Sequence, residues 1–362
     1  KVSKMKGHEV VYSAPAAAPY IAMPMPVGSD YYWFYASLTD TYATDGTTHS
    51  INTPDTLTGS LGATAQINWT GGILGGEVMV LNNGIDVPIQ WKGAAITDQF
   101  TELSNWPATQ TARVLRPFNQ FLVAADIDEG AGAGRIGNQI MWSHPASAGN
   151  VPSSWDYNDN TVDAGTTVLA QGGDYIIDMK PLRDVNMIYK DQSIWSQSFV
   201  GGQFTFQFRR IFDTNGILSR RCVTDFLGRH FVVINDDILL HDGISTEQPL
   251  DRRMVKQLFS EIDGTNYDRT FVAINRVLNE IWVCYPTTGE TLPNKALIWN
   301  WRDNTNQFRD LPPSTTHMEW GIVDPNLGET FDETNGSYAD QAGTFAEQSY
   351  SGAQLSLLMC DA

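Results

Sequence analysis

Phe231-Val232-Val233-Ile234, then Asn235-Asp236-Asp237, then Ile238-Leu239-Leu240 sets two apolar runs around three turn residues. β-branched and aromatic side chains suit the pleated, half-buried surface of a strand. Asn and Asp reverse a chain by bonding to their own backbone. The stretch reads as a hairpin, and the unit recurs. Glu77-Val78-Met79-Val80-Leu81 and Ile85-Asp86-Val87 flank Asn82-Asn83-Gly84, where Asn-Gly supplies the positive φ of a tight turn. Thr270 to Asn275 and Glu280 to Tyr285 make another pair, and Lys295 to Trp301, ending at Asp303-Asn304, opens one more. Gln203-Phe204-Thr205-Phe206-Gln207-Phe208 alternates polar and aromatic residues, which predicts a half-buried strand.

Strand pairs begin near Val78, Gln120, Met187, His230 and Phe271, roughly 40 to 45 residues apart, with one gap of about 65 that has room for an insertion. A period near 40 with about four strands per unit is the expectation for a β-propeller. The chain therefore reads as all-β, a propeller of about five to seven four-stranded blades with peripheral insertions. A β-sandwich pair is the competing architecture. Helices do not alternate with strands, which excludes an α/β fold. One stretch departs from the β pattern: residues 251–262 place Met254, Val255, Leu258, Phe259 and Ile262 at helical spacing. Asp251 reads as the N-cap of this short amphipathic helix and Gly264 as the residue past its end. Residues 13–28 hold four prolines among small residues. This predicts an extended arm or linker over 1–29, a propeller over 30–325, and a C-terminal arm or propeller-closing segment over 326–362.

Composition narrows the function classes. Of 362 residues, 42% are hydrophobic, 11% aromatic and 18% charged, enough apolar material for a large core. The 23 Lys and Arg face 41 Asp and Glu, a formal charge of −18. Gripping nucleic acid needs a basic surface that releases counterions from phosphates, so a nucleic-acid binder or membrane-surface binder is disfavoured. Cys222, Cys284 and Cys360 are widely spaced and odd in number, which excludes a disulfide scaffold and predicts buried, reduced thiols. No CxxC pair or Cys/His cluster suggests zinc, no run of 18 apolar residues suggests a membrane span, and Lys1 to Lys6 lacks the apolar stretch of a signal peptide.

Candidate chemistry is sparse. The densest carboxylate groups are Asp236-Asp237, Asp126-Ile127-Asp128-Glu129 and Asp156-Tyr157-Asn158-Asp159. A glycosidase needs two carboxyls facing each other, but each group sits at an inferred turn tip, where Asp caps its own backbone. Asn158-Asp159-Asn160 and Asp45-Gly46 are oxygen-rich without the twelve-residue calcium loop. His8, His49, His144, His230, His241 and His317 are scattered, and Gly132-Ala133-Gly134-Arg135 lacks the Lys-Ser/Thr of a phosphate cradle. Tyr31-Tyr32-Trp33-Phe34-Tyr35 and Trp299-Asn300-Trp301 suit core packing first, then subunit contact, then sugar stacking. No catalytic, cofactor-binding or metal-ligating residue is assigned.

From Ala112 to about Pro313 the chain resembles a group of phage virion proteins, the tail tubular protein B, nozzle or tail stabilisation proteins of short-tailed phages. The resemblance rests on phrases in a shared order. Arg113 to Ala124 (RVLRPFNQFLVA) is followed by Gln139 to Pro145 (QIMWSHP) and Val151 to Asp156 (VPSSWD). Asn186 to Trp195 (NMIYKDQSIW) precedes Gly201-Gly202. Gly228 to Val232 (GRHFV) leads to Asp236-Asp237-Ile238 and His241-Asp242-Gly243. Asn279 to Pro286 (NEIWVCYP) and Asn294 to Trp301 (NKALIWNW) close the series. The resemblance implies a propeller with peripheral insertions, assembled as a homo-hexameric ring below the tail adaptor and beside other tail proteins. It implies a structural virion protein, made in the host cytoplasm, that lets viral DNA pass without specific binding and carries no catalytic residue or cofactor. A carbohydrate-binding or glycan-cleaving propeller for host adhesion is the alternative. The repeated Ser-x-Asp-x-Gly-x-Thr-Trp boxes of sialidase-like propellers are absent from the sequence.

Overall fold

The computed structural model describes residues 10–28, 30–54, 69–130, 132, 134–170, 173–202, 204–213, 216–312, 314–323 and 354–361. Its strands form six four-stranded antiparallel sheets, each a meander of sequence neighbours, arranged as the blades of a propeller. Blade 1 holds β1 (Ile21–Val27), β2 (Asp30–Ala36), β3 (Thr41–Thr44) and β4 (His49–Ile51). Blade 2 holds β5 (Thr70–Leu74), β6 (Val78–Asn82), β7 (Ile89–Trp91) and β8 (Thr101–Glu102). Blade 3 holds β9 (Thr111–Phe118), β10 (Phe121–Asp128), β11 (Arg135–Trp142) and β12 (Gly165–Val168). Blade 4 holds β13 (Ile176–Leu182), β14 (Val185–Lys190), β15 (Ile194–Phe199) and β16 (Phe206–Phe212). Blade 5 holds β17 (Val223–Phe226), β18 (Arg229–Val233), β19 (Ile238–His241) and β20 (Thr246–Glu247). Blade 6 holds β21 (Phe271–Asn275), β22 (Glu280–Tyr285), β23 (Lys295–Asn300) and β24 (Thr305–Asp310). A two-stranded sheet of β25 (Thr315–Val323) and β26 (Gln354–Asp361) sits between blades 6 and 1.

The core is divided into interfaces between neighbouring blades. Phe34 and Met25 of blade 1 pack with Trp69, Met79 and Trp91 of blade 2. Leu74 and Val80 of blade 2 meet Leu115, Leu122 and Met141 of blade 3. Cys284 and Met318 join blade 6 to β25, while Trp33, Tyr35 and Cys360 join β26 to blade 1. Each fully buried Leu or Phe side chain contributes about 1.5–3 kcal/mol, which is why two-sided apolar strands prevail here. The Trp33 indole crosses its interface to donate to the Ile322 carbonyl at 2.8 Å, and that of Trp69 donates to Ser37 at 3.0 Å.

The proline-rich segment expected as an arm is in part a strand. Ile21–Val27 pairs in full register with β2, Pro24 opposite Trp33 and Pro26 opposite Tyr31. β1 is the innermost strand of its blade, with one unpaired edge, and a proline lacking its N–H is tolerated there. Pro117 in β9 and Pro181 in β13 occupy innermost strands too. Upstream, Ser13 donates to the Gly46 carbonyl at 3.1 Å, so residues 11–20 lie along blade 1. Of the expected C-terminal segment, residues 354–361 form β26, the closing strand.

Other boundaries moved. Ile85, Asp86 and Val87 belong to the turn, because Asn83 Oδ1 accepts from the N–H of both Ile85 and Asp86, and strand pairing resumes at Leu81 opposite Ile89. The strand expected from Gln203 begins at Phe206, Gln203 itself lying outside the described residues. Helix α1 (Arg252–Glu261) matches its expectation: Asp251 caps the Arg253 N–H at 2.7 Å, and Val255 and Leu258 are buried. It stops on extended backbone at Ile262 (φ −58°, ψ 131°), so Gly264 is not a left-handed cap. The long sequence gap before Met187 contains a loop over 143–164, inserted between β11 and β12.

Candidate functional site

The inner strands converge on an axial cavity of about 280 Å³, and the best-defined cluster of charged groups lies there. Its centre is Asp178 of β13, which is 1% exposed. Arg116 of β9 reaches it as a fork, Nε to Oδ1 and Nη2 to Oδ2, both 3.0 Å. The third guanidinium nitrogen donates to the Gly71 carbonyl of β5 at 3.1 Å. Asp178 Oδ1 also accepts from the Met179 N–H (2.8 Å), and Oδ2 from the Arg221 N–H (3.1 Å). Arg221, just ahead of β17, donates from Nη1 to the Tyr20 carbonyl (2.9 Å) and to Nδ1 of His317 on β25 (2.7 Å). Its guanidinium lies 5.7 Å from the centre of the Phe271 ring of β21. One connected cluster therefore touches all six blades and the closing sheet.

The electrostatics follow. Burial alone would raise the Asp178 carboxyl, but the Arg116 charge and the bonds from Arg116, Arg221 and Met179 hold it below the usual carboxylate value. Burial lowers the Arg221 guanidinium to about 10, as it does that of Arg220. His317 is pushed well below its ordinary value by burial and by the Arg221 charge, so its ring is neutral. With four donors on one carboxylate, the arrangement is chemically a clamp: both oxygens are occupied and the acid has no proton to give. It ties blades together around the axis.

A second buried cluster joins blades 4 and 5. Tyr189 Oη lies 2.6 Å from His230 Nδ1 and 2.8 Å from His241 Nε2. His230 Nε2 is 2.9 Å from the Pro181 carbonyl, which only accepts, so that nitrogen carries the proton. Tyr189 then donates to His230 Nδ1, and His241 Nε2–H donates to Tyr189. That leaves His241 Nδ1 as a buried lone pair without a hydrogen-bond partner among the described residues. Burial, with the neighbouring His241 charge, lowers His230 to about 3, and burial lowers His241 to about 4. Sequence reading passed over this pair, although His230 and His241 are equidistant from the turn of the hairpin first quoted and face each other across β18 and β19.

The remaining sequence candidates separate. Asp156 and Asp159 accept from the N–H of Asn158 and Thr161, and Asp45 from those of Thr47 and Thr48, which is turn chemistry. Asp237 accepts from the Ile238 N–H. Asp126 is a correction: it lies on a β-bulge inside β10 at φ +55°, 3% exposed, and faces Arg113 at 3.4 Å and Arg135 at 3.5 Å. A bulge frees one residue from the ladder, and two guanidinium groups offset the burial of its charge. His49 contacts Tyr35 Oη (2.9 Å), and His144 the Asp163 N–H (3.0 Å), while His8 lies outside the described residues. Gly132 and Gly134, both at positive φ, form the loop ahead of β11. Tyr32, Trp33, Phe34, Tyr35 and Trp299 are buried in blade interfaces. All three cysteines are free and buried. Among the described residues, no group of three or more His, Cys, Asp or Glu is placed to hold a metal, and no helix is long and apolar enough to cross a membrane.

No protein-family model matches the chain, and no curated protein does. Among solved structures it is similar to PorZ, described as an essential bacterial surface component of the type-IX secretion system of human oral-microbiomic Porphyromonas gingivalis. Identity is 9% and the TM-score 0.43, over 87% of this chain and 36% of PorZ. The chain thus spans about a third of that protein's length.

Proposed function

We propose that this chain is a non-catalytic structural subunit of a phage tail nozzle, a hexameric ring that stacks on the tail adaptor and walls the distal DNA exit path. The observation that carries the reading is the ordered series of phrases from Arg113 to Trp301. Most of them fall on β9 to β11, β14 and β15, β18 and β19, and β22 and β23, strands of four successive blades, and Val151 to Asp156 falls in the loop after β11. The filled axis supports a wall-building role. A cavity of about 280 Å³ crossed by the Arg116–Asp178 pair does not pass a duplex whose major groove alone is ~12 Å wide. DNA would run between copies, along the axis of the assembled ring. The acidic balance fits such a wall, since a surface poor in free Lys and Arg neither neutralises phosphates nor releases their counterions. Several basic groups are already engaged internally, among them Arg116, Arg135, Lys190 and Lys295.

The test combines size-exclusion mass, negative-stain imaging and a polysaccharide-binding assay on the full chain. Six-fold rings without glycan affinity are expected. A strict monomer that binds or cleaves polysaccharide refutes the nozzle reading in favour of the adhesion alternative.

A further inference from the structure

The axial cavity reverses the charge balance of the chain. Of its 362 residues 23 are basic and 41 acidic, yet the charged residues lining this cavity are Arg116, Lys180 and Arg221 against Asp178 and Glu319. Asp178 is taken up by Arg116, which bonds to both of its oxygens. Among the described residues the carboxylate within 4 Å of Lys180 is Asp225, at 3.9 Å, and Asp225 is also the partner of Arg276. Glu319 stands where the cavity opens, its side chain 43% exposed, and its enclosing neighbours raise its carboxyl above the usual value. Arg221 donates from Nη1 to two neutral acceptors, the Tyr20 carbonyl and His317 Nδ1, and its guanidinium has no carboxylate within 4 Å among the described residues.

The second observation is a pair of donors without acceptors. Arg221 Nε makes no hydrogen bond among the described residues. His317, 4% exposed, accepts from Arg221 on Nδ1, so its proton sits on Nε2. That N–H lacks a partner too: the Ala22 carbonyl is near and Glu319 Oε2 lies 3.8 Å away, but neither completes a bond. A buried donor left without an acceptor bears its full desolvation penalty, and a buried charge without a counterion bears more. Both donors are shielded by the wall, so an acceptor reaches them through a small turn of the two side chains. Much of the remaining lining is apolar, with Met23, Phe271, Met318 and Trp320 among it. A volume of about 280 Å³ is close to the lower end of ligand pockets, ~300–1,000 Å³, and suits a small molecule rather than a polymer.

We propose that the axial cavity binds a small organic acid, its carboxylate or phosphate head among Arg221, His317 and Lys180 and its apolar body against Phe271, Met318 and Trp320. The head supplies the acceptor that Arg221 Nε and His317 Nε2 lack, and the negative charge that Arg221 and Lys180 lack. Glu319 opposes the head, so removing its charge strengthens binding. Lys180 lies on β13, Arg221 just ahead of β17 and His317 on β25, so the bound acid pins blade 4, blade 5 and the closing sheet to one another at the axis. The site stands or falls independently of the nozzle reading.

The test is calorimetric titration of the full chain at pH 7 with benzoate, phenyl phosphate, inorganic phosphate and benzamidine, a cation of benzoate's shape. Methionine methyl NMR on the same samples reports the location, because three of the ten methionines, Met23, Met179 and Met318, line the cavity. Benzoate or phenyl phosphate is expected to bind and to move those three resonances, the tighter of the two identifying the preferred head group. Lys180→Met, at a side chain 36% exposed and outside the Arg116–Asp178 clamp, should weaken binding about tenfold, and Glu319→Gln should tighten it several-fold, with circular dichroism confirming that both variants fold. No binding by either organic anion at millimolar concentration overturns the site, as does benzamidine binding as tightly as benzoate. Inorganic phosphate binding as tightly as phenyl phosphate overturns an organic ligand. Binding that leaves the three resonances in place, or that neither variant alters, is an adventitious anion elsewhere and overturns the site as well.

Discussion

Replacing Asp178 with Asn removes one charge from the axis and nothing from its volume. Four donors converge on that carboxylate: Arg116 Nε and the Met179 N–H on Oδ1, Arg116 Nη2 and the Arg221 N–H on Oδ2. An amide offers one acceptor and one NH₂ group, so whichever way the new side chain turned, two donors would face a donor. Arg116, with its side chain 18% exposed, would also keep its charge without a counterion. Breaking a buried pair from one side costs about 3–5 kcal/mol. An unfolding entropy of about 2.1 cal/mol/K per residue over the roughly 300 described residues gives about 0.6 kcal/mol/K, so Tm should fall by about 5–8 °C.

Calorimetry at pH 7 on wild type, Asp178→Asn, Arg116→Met and the double variant reads this directly. The double variant should lose less than the sum of the singles, by about 1–3 kcal/mol, because removing the second partner releases the stranded charge. The deficit of Asp178→Asn should also shrink under acid. The folded carboxyl titrates below its ordinary value of 3.8, so its contribution is complete above that pH and disappears as pH falls through the lower folded value. A Tm within about 1 °C of wild type, or strict additivity in the double variant, would refute the claim that the hub holds the blades together.

The histidine pair predicts a separate acid sensitivity at higher pH. His230 and His241 bind protons more readily unfolded (6.5) than folded (about 3 and about 4), so stability should drop by about 4 kcal/mol from pH 7.5 to 5. Urea titrations should show that slope flattened in His230→Gln/His241→Gln, and an unchanged slope would sink the assignment. Tyr189→Phe leaves His230 Nδ1 without its donor and His241 Nε2–H without its acceptor, a loss of about 2–4 kcal/mol readable in the same titrations. Burial pushes the Cys222 and Cys360 thiols up to about 12 and raises Cys284 as well, so a thiol-specific dye should label the protein only at its unfolding rate. Labelling of native protein at the rate of a free thiol would contradict their burial. Gly216→Ala would place a Cβ 1.9 Å from the Asp191 carbonyl oxygen, forcing the backbone apart, and should lower Tm by several degrees, whereas Gly264→Ala meets nothing within 4 Å. Equal melting of the two glycine variants would count against that packing.

Blade architecture was legible because it is local. Hairpins such as 271–285 need only apolar runs of the right length with Asn or Asp between them, and the observed β21 and β22 match the expected bounds within a residue. Where the reading slipped, tertiary context decided. Pro24 and Pro26 mark a loop by local rules, yet an innermost propeller strand has a free edge that accepts them. Asp126 looked like one more turn residue, and only Arg113 and Arg135 from the flanking strands make its burial tolerable.

The axial hub was hidden for a related reason. Arg116, Asp178, Arg221 and His317 are spread over 202 positions, and no spacing rule connects them. A weaker signal was present: Arg116 follows Val114-Leu115, Asp178 follows Ile176-Ile177, and Arg221 precedes Cys222-Val223. A charge beside an apolar run on an inner strand must find a partner, since burying it alone is prohibitive. Three such residues on different blades can satisfy one another only where all blades meet, at the axis. The same logic bears on function. The Arg116–Asp178 pair is saturated by the chain itself, whereas Nε of Arg221 and Nε2 of His317, on two residues that line the axial cavity, are buried donors without a hydrogen-bond partner among the described residues.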